Sequence, residues 1–414
     1  MRILILSAPT GAGHNSAAFA CAQALRQRGV TVTVKNCLAF GIPGESRFLS
    51  GGHSLLYRHM PRLFGVGYEW MEMGKNRQNP SSLTYVSATL TRKLSAFLEA
   101  QTYDAIVATH LFAALALTRL RKEGRVTCPL HFITTDYTCY PGVSDLEMDG
   151  YVIPHPDLVW EFESAGIPRE RILPYGIPLS SSYLTAEPAE EAAARLGLPE
   201  GELRVLLMAG SMGCGPVDEL AVALARRLPE GTRLLAVCGH NHSLYARLSA
   251  HRLPRLTPYG YTDRIPLLMD AATLTVTKAG GLSLTEAAAK RKPILLLRAV
   301  HGCESANLRF FCQRGYALTR DRYSDLIEPI LSLLKDGDAR AAASSALAAL
   351  PCDGASRLAD RLITVLRKES HYEATVQEAG PPSHPSLLRH PPRRRRRPVR
   401  LVGGAGGFRL HRPG

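Results

Sequence analysis

The sequence has no run of about 18 apolar residues, the length that a membrane-spanning helix needs, so no transmembrane segment is predicted. The stretch from Met1 to Ser7 is too short for the apolar core of a signal peptide. The nine cysteines are scattered, odd in number and never arranged as Cys-x-x-Cys, which fits neither a disulfide framework nor a zinc site. We therefore expect a cytoplasmic protein with reduced thiols.

Acidic residues are fewer than basic ones, with 36 Asp and Glu against 50 Lys and Arg and a net charge of +14. Such a surplus first suggests a nucleic acid or an anionic membrane as partner. However, nine arginines and no acid lie between residue 379 and the C-terminus, so the preceding residues carry only 14 − 9 = +5. Because this end contains one Phe and no Tyr or Trp, base stacking is nearly absent and no nucleic-acid partner is expected.

The Arg/Pro/Gly-rich tail, residues 369–414, shows no apolar periodicity and is predicted to be disordered. Two interpretations of it stay open. It is either a polybasic membrane tether or a frameshifted end without a function.

The whole sequence is 45% hydrophobic and 21% charged. The part before the tail therefore has enough apolar residues for two substantial cores. Short β-branched or Leu-rich runs alternate with longer amphipathic ones, as parallel strands and crossover helices do. This predicts an α/β protein with two facing Rossmann-like domains, over residues 1–178 and 204–354. A linker is expected over residues 179–203 and a closing helix over residues 355–368.

An insertion at residues 40–82, between the second and third predicted strands, combines apolar, aromatic and basic side chains. One interpretation is a core-facing helix with solvated basic residues. The other is a membrane contact, with the apolar side in the headgroup region and the basic side chains on anionic lipid. Under the second, the acceptor and membrane residues are Tyr57, Arg58, Phe64, Tyr68 and Trp70.

The first strand runs directly into Gly11-Ala12-Gly13-His14-Asn15-Ser16. Its glycines permit a tight turn into a helix whose N-terminus suits an anionic group. A dinucleotide fingerprint would need a third glycine at Ser16 and an acid after the second strand, where Lys35 and Asn36 occur. The P-loop lysine is missing too, so a dehydrogenase and an NTPase are both disfavoured. A plain turn stays an alternative, but His14 is a candidate general base.

The second domain starts in the same way, with a strand into the small-residue loop Gly210-Ser211-Met212-Gly213. Either loop alone is weak evidence for a site. Two such loops on facing α/β domains indicate a ligand cleft between them.

The most specific stretch runs from Lys278 to Glu286 and is followed by His301 to Asn307. Ser283 and Glu286 have the spacing of a helix capping box. The Glu286 carboxylate can also accept hydrogen bonds from a ribose diol. Lys278 and the glycine pair Gly280-Gly281 add a cation and a free backbone turn beside the same helix, as a nucleotide diphosphate requires.

These motifs, with Tyr175-Gly176-Ile177-Pro178 and Cys238-Gly239-His240-Asn241, resemble the processive diacylglycerol glycosyltransferases. Those enzymes are relatives of plant monogalactosyldiacylglycerol synthases and, more distantly, of MurG-type transferases. The resemblance covers roughly residues 1–368. It implies a GT-B fold and inverting transfer of a hexose from UDP-glucose or UDP-galactose to a diacylglycerol-type lipid. The enzyme would act at the cytosolic face of an anionic membrane.

The resemblance also implies residue roles. The diphosphate would be bound by the loop from Gly210 to Gly213 and by Lys278 with Gly280 and Gly281. Glu286 with Ser283 would bind the ribose, and Glu304 with Asn307 the sugar hydroxyls. Acceptor activation would fall to His14 and Asp136, with Gly11 and Gly13 on the acceptor side, although Asp136 can also be read as an Asx turn.

No metal or other cofactor is expected, because these motifs contain no Asp-x-Asp and helix N-termini with Lys278 would stabilise the departing UDP. The family commonly has Gln where Cys303 stands, so the sugar stays open. Two enzymatic alternatives remain: a soluble UDP-sugar 2-epimerase of the same fold, and a MurG-like transferase to a polyprenyl-linked acceptor. The non-enzymatic alternative is nucleic-acid binding through the arginine tail.

Overall fold

The computed structural model describes residues 1–9, 12–41, 88–210, 217–298 and 302–379. The described residues of its N-terminal part form six strands and four α-helices. The strands are β1 (Arg2–Ser7), β2 (Thr31–Asn36), β3 (Ala105–Ala108), β4 (Leu130–Ile133), β5 (Gly150–Val152) and β6 (Ile172–Leu173). The helices are α1 (Ala12–Arg26), α2 (Ala88–Glu99), α3 (Leu111–Lys122) and α4 (Val159–Ser164).

The N-terminal strands form one parallel sheet in the order β2-β1-β3-β4-β5-β6. Strands β3 and β4 are buried along their whole length, as expected for a parallel sheet covered by helices on both faces. Their carboxyl ends share one edge of the sheet. The chain after β1 leads into α1, whose first turn carries His14, and the loop after β4 carries Asp136, so both residues follow strand ends at this edge.

The C-terminal part repeats this architecture. Two linker helices, α5 (Ser181–Leu184) and α6 (Ala189–Leu196), precede it. Its strands are β7 (Leu203–Met208), β8 (Thr232–Val237), β9 (Leu256–Tyr259), β10 (Leu274–Thr277), β11 (Ile294–Leu296) and β12 (Ala317–Thr319). Its helices are α7 (Val217–Arg227), α8 (His242–Ala250), α9 (Ile265–Ala271), α10 (Gly281–Ala289), α11 (Cys303–Gln313), α12 (Ile327–Lys335), α13 (Gly337–Ala346) and α14 (Gly354–Ala379). The sheet is parallel, in the order β12-β11-β10-β7-β8-β9.

The sequence predicted strands at the positions of β1 to β4, β7, β8, β10 and β11, but not the strands β5, β6, β9 and β12. Three of these, β5, β6 and β12, have only two or three residues each, too few for a periodic pattern. The closing helix also continues to Ala379, so residues 369–379, predicted to be disordered, are helical. Residues 380–414 lie outside the described residues.

The closing helix α14 packs on the N-terminal domain, although it follows the C-terminal one in the chain. Ala355, Leu358, Ala359, Leu362 and Leu366 belong to the same buried cluster as β1, α1 and β3. Arg28, just after α1, binds this helix through Asp360 at 2.7 Å and Ser356 at 2.6 Å. The helix therefore ties the end of the second domain to the first.

The chain crosses between the domains twice, and the two crossings contact each other. Gly176 has a φ of +91°, and a Cβ atom there would lie 2.2 Å from the Pro351 carbonyl oxygen. A Cβ atom at Gly354 would lie 2.2 Å from the Gly176 carbonyl oxygen. Only glycine permits this approach of one backbone to another, which explains the glycine in the Tyr175–Pro178 motif. None of the described helices is both long enough and apolar enough to cross a bilayer.

Candidate active site between the domains

His14 lies in the first turn of α1, where its ring is held by the end of β3. Its Nδ1 atom is 2.6 Å from the Thr109 carbonyl oxygen. Because a carbonyl oxygen only accepts hydrogen bonds, Nδ1 carries the proton and Nε2 keeps a lone pair. Thr109 also donates its hydroxyl to the His14 carbonyl, at 3.1 Å. The neutral ring therefore has Nε2 as its basic nitrogen, and the predicted role of His14 as general base stays a prediction.

Burial lowers the pKa of His14, whereas the nearby charge of Asp136 raises it. Since the net direction is downward, the imidazole is neutral at pH 7 and able to take a proton. The His110 ring packs edge-on against it, with ring centroids 4.7 Å apart.

The loop after β4 brings Asp136 to the same place. Thr135 Oγ1 lies 3.4 Å from His14 Nδ1. Burial raises the pKa of Asp136, and the charge of Glu304 adds to this, while a hydrogen bond from Asn307 and the charge of His14 oppose it. The two predicted catalytic residues thus interact electrostatically, although they are far apart in sequence.

Helix α10 begins at Gly281, with Gly280 as its N-cap, and not at Ser283. The predicted capping box of Ser283 and Glu286 is therefore wrong. Since helix starts lack intrahelical acceptors for their first amides, the amide groups at Gly281 and Leu282 belong to an N-terminus that suits an anion. A Cβ atom at Gly281 would lie 2.1 Å from the Thr135 carbonyl oxygen, so this helix start abuts the loop that carries Asp136.

Gly13 also reaches this helix start, since a Cβ atom there would lie 3.7 Å from Leu282 Cβ. The α1 turn, the loop after β4 and the α10 N-terminus therefore meet at one point. Two of these three segments belong to one domain and the third to the other.

Lys278 and Glu304, predicted to bind diphosphate and sugar, form an ion pair with Nζ and Oε1 3.1 Å apart. Gly210 lies beside them, because its Cβ atom would be 3.4 Å from Lys278 Cδ. Gly210 has a φ of +75°, which only glycine adopts without strain. The ends of β7 and β10 and the start of α11 therefore come together.

Glu286 is buried in the second turn of α10, with 8% of its surface exposed. Burial raises its pKa to about 7, and a hydrogen bond with Tyr183 opposes that rise. Tyr183 comes from α5 in the linker, and sequence reasoning missed it. Its place in a short Ser-rich segment gave no signal, since nothing in that segment indicates which side chain turns inward.

Asn307, which the resemblance assigns to the sugar hydroxyls, is engaged by groups of the protein itself, and its predicted role stays a prediction. Asn307 is fully buried, and both hydrogens of its amide are used, toward Asp136 Oδ1 at 2.8 Å and the Ala279 carbonyl at 2.9 Å. Its Oδ1 accepts a hydrogen bond from the Tyr137 backbone at 2.6 Å. No donor remains for a substrate, because a carboxamide has only two N–H groups.

Several predicted residues lie outside the described part of the chain. They are Gly11, Ser211, Met212 and Gly213 of the two loops and, in the insertion, Tyr57, Arg58, Phe64, Tyr68 and Trp70. Their predicted roles stay predictions.

In the described ranges, no group of three or more His, Cys, Asp or Glu side chains has a metal-binding arrangement. An Asp-x-Asp sequence does occur, at Asp336-Gly337-Asp338, outside the cleft motifs. Asp336 is the N-cap of α13, and its Oδ1 accepts a hydrogen bond from the Ala339 amide at 2.9 Å. This pair therefore starts a helix.

Two Rossmann-like domains of six parallel strands each, with a polar site between their carboxyl edges, define the GT-B class of glycosyltransferases. The family model described as monogalactosyldiacylglycerol (MGDG) synthase matches residues 14–179. The model of the glycosyltransferase family 28 C-terminal domain matches residues 204–357. The chain belongs to the family of processive diacylglycerol glycosyltransferases and monogalactosyldiacylglycerol synthases.

Similar proteins agree with this assignment. The chain is 26% identical to the "Processive diacylglycerol beta-glucosyltransferase" of Bacillus cereus (strain B4264) over 341 residues, 81% of this chain and 86% of that protein. The Acinetobacter baumannii MurG structure has a TM-score of 0.56 at 16% identity and covers 88% of this chain and 99% of its own. The UDP-GlcNAc 2-epimerase of Neisseria meningitidis, bound to UDP-GlcNAc, has a TM-score of 0.57 at 14% identity, with 88% and 100% covered. At these identities the two structures show a shared fold alone.

Proposed function

We propose that this chain transfers a hexose from UDP-glucose or UDP-galactose to a diacylglycerol-type lipid, with inversion at the anomeric carbon. The observation that carries the proposal is the orientation of His14, whose Nδ1 hydrogen bond to the Thr109 carbonyl leaves Nε2 as a base between the domains. The acceptor follows the relatives, which are named for action on diacylglycerol.

In the proposed reaction the acceptor hydroxyl gives its proton to His14 Nε2 while its oxygen attacks the anomeric carbon. The bond from that carbon to the β-phosphate oxygen breaks, and UDP leaves with the electron pair. The Asp136 charge stabilises the imidazolium that forms, since it raises the pKa of His14. A single displacement with one base inverts the anomeric configuration.

Stabilisation of the leaving diphosphate is assigned to Lys278 and to the N-terminus of α10 at Gly280 and Gly281. Lys278 lies beside Gly210, and the N-terminus of α10 lies beside the loop that carries Asp136. The charge that develops on UDP would therefore arise close to the base. We propose that no metal ion is required, because these groups supply positive potential at that point.

For the rest of the donor we propose that Glu286 binds the ribose and Glu304 a sugar hydroxyl. Glu304 is partly exposed, with 17% of its side chain accessible. Ser283 lies one turn before Glu286 on the same helix and belongs to this subsite. The loop from Ser211 to Gly213 is proposed to complete the diphosphate site.

The acceptor side is assigned to the N-terminal domain, through Gly13 and the insertion that contains Tyr57, Arg58 and Trp70. A lipid acceptor places the enzyme on a membrane, so we propose peripheral binding at the cytosolic face. Anionic lipid would contact the basic residues of the insertion.

The proposal is tested by incubation of the purified protein with radiolabelled UDP-glucose or UDP-galactose and vesicles that contain diacylglycerol. Lipid-soluble label with a β-linkage by NMR is the expected product. Conversion of UDP-GlcNAc to its 2-epimer without transfer to lipid would favour the epimerase alternative. A protein that binds UDP but labels no diacylglycerol from any common UDP-sugar would overturn the proposal.

A further inference from the structure

Asn307 is a buried polar side chain whose hydrogen bonds join the two domains. It projects from α11 of the C-terminal domain, is 0% exposed and makes three hydrogen bonds of 2.6 to 2.9 Å. Two of its partners, Asp136 and Tyr137, lie in the loop after β4 of the N-terminal domain, and the third, the Ala279 carbonyl, lies before α10. One side chain thus joins the loop of the candidate carboxylate to two elements of the other domain.

The hydrogen bonds of Asn307 fix one carboxylate oxygen of Asp136 as well as the backbone of the loop beside it. An amide N–H at 2.8 Å from Asp136 Oδ1 restrains the carboxylate rotamer, while the bond from the Tyr137 amide holds the next residue along the backbone. We propose that Asn307 is a positioning residue that holds the Asp136 carboxylate toward His14, so that the catalytic pair is completed only when α11 is docked on the loop after β4. This inference rests on the function proposed above.

The titratable groups around Asp136 come from several elements. His14 faces it from α1, Glu304 from the start of α11, and Tyr140 from the same loop. Lys278, from the end of β10, is paired with Glu304. Asn307 carries no charge but stabilises the ionised carboxylate by its hydrogen bond, so its loss raises the pKa of Asp136.

The test measures the Asp136 titration directly, by ¹³C NMR of the full-length protein labelled at aspartate carboxyls and assigned with Asp136→Asn. In Asn307→Ala we expect an upward shift of about one pH unit. Asn307→Asp keeps a similar side-chain shape but adds a second carboxylate, so the upward shift of the Asp136 pKa should be larger. An unchanged midpoint in both variants overturns the inference.

Turnover supplies the second readout. Asn307→Ala should lower kcat about tenfold and move the acid limb of its pH profile upward, with the donor KM changed less than about twofold. In an Asp136→Asn background the same substitution should cost at most about twofold, because it acts through the missing carboxylate. A donor KM raised tenfold or more with an unshifted pH profile would instead make Asn307 a sugar ligand and overturn the inference.

The matched control is Tyr137→Phe, which removes a different hydrogen bond between the same domains. The Tyr137 hydroxyl lies 2.8 Å from Thr285 Oγ1 and does not touch Asp136. If Asn307 only tied the domains together, both variants would have the same effect, so an equal shift in Tyr137→Phe overturns the inference. If Asn307→Ala does not fold, Asn307→Ser replaces it. A shifted Asp136 titration in a protein that transfers no sugar to lipid would overturn the proposed function alone.

Discussion

Lys278 Nζ lies 3.1 Å from Glu304 Oε1, so a cation assigned to the diphosphate and a carboxylate assigned to the sugar contact each other directly. Because both side chains are largely buried, each lowers the electrostatic cost of placing the other there. The pair would couple the two proposed subsites, since a diphosphate bound to Lys278 would compete with Glu304 for the same ammonium group.

This pair predicts opposite effects of two substitutions. Lys278→Met should weaken UDP binding about tenfold or more, because a charge-assisted contact to the diphosphate is lost. Glu304→Gln should leave UDP affinity unchanged or improve it and raise the KM for the UDP-sugar. Calorimetric titration with UDP and steady-state kinetics check both. Equal losses of UDP affinity would show that the pair acts as one structural unit.

Substitution of His14, the proposed base, is expected to lower kcat without weakening UDP binding. His14→Asn keeps an amide N–H for the Thr109 carbonyl but has no Nε2, so kcat should fall about 10² to 10⁴-fold. UDP affinity should stay within about twofold of the native value, by calorimetry. In the native protein, kcat should fall as pH drops, because protonation of the His14–Asp136 pair removes the base. Unimpaired turnover of His14→Asn would reject this role.

The buried pair of Tyr183 and Glu286 predicts pH-dependent donor binding. The pKa of Glu286 is raised to about 7, so the population of its carboxylate form increases as pH rises from 6 to 8. This carboxylate form is the proposed acceptor of hydrogen bonds from the ribose hydroxyls. In Tyr183→Phe the pKa should rise further, because a hydrogen bond that lowers it is lost, and UDP affinity at pH 7 should fall about threefold.

Calorimetric UDP titrations at several pH values check this, with Glu286→Gln as the control that lacks the titrating group. The phosphate of UDP also titrates in this pH range, but its contribution is the same for both proteins. It cancels when the affinities of native protein and Tyr183→Phe are compared at each pH. Identical pH dependence in native protein and Tyr183→Phe would contradict the role of Tyr183.

The contact of Gly281 with Thr135 predicts a stability difference between neighbouring glycines. Gly281→Ala places Cβ against a backbone carbonyl that cannot rotate away, and should cost about 1–3 kcal/mol of unfolding free energy. Gly280→Ala is the control, because nothing lies within 4 Å of a Cβ there and its φ is −74°. Thermal unfolding compares the two, and equal midpoints would contradict the contact.

The end of α14 predicts where the tail can be removed. A variant that ends at Ala379 keeps the whole closing helix and should retain native turnover on detergent-dispersed acceptor. Binding to anionic vesicles separates the two interpretations of the tail, since a tether would be lost with the arginines and a non-functional end would not. Reduced turnover in detergent would place a catalytic role beyond residue 379.

The sequence by itself determined the fold class and indicated several residues that the structure brings together between the domains. Buried β-branched runs with amphipathic stretches between them specify parallel sheets, because strand and helix periodicities depend only on neighbours along the chain. Strand ends followed by glycine or polar residues marked His14, Gly210 and Lys278, since parallel strands place their carboxyl ends at one edge.

Only the tertiary structure decided which of these side chains contact each other. Asn307 has the spacing of a ligand, yet one of its amide N–H groups binds Asp136 in the loop after β4 and the other binds the Ala279 carbonyl. Tyr183 gave no local signal and reaches Glu286 only because the linker folds over α10. The contacts of Asn307 with Asp136 and of Tyr183 with Glu286 join residues about 100 or more positions apart, and a local pattern carries no information about such contacts.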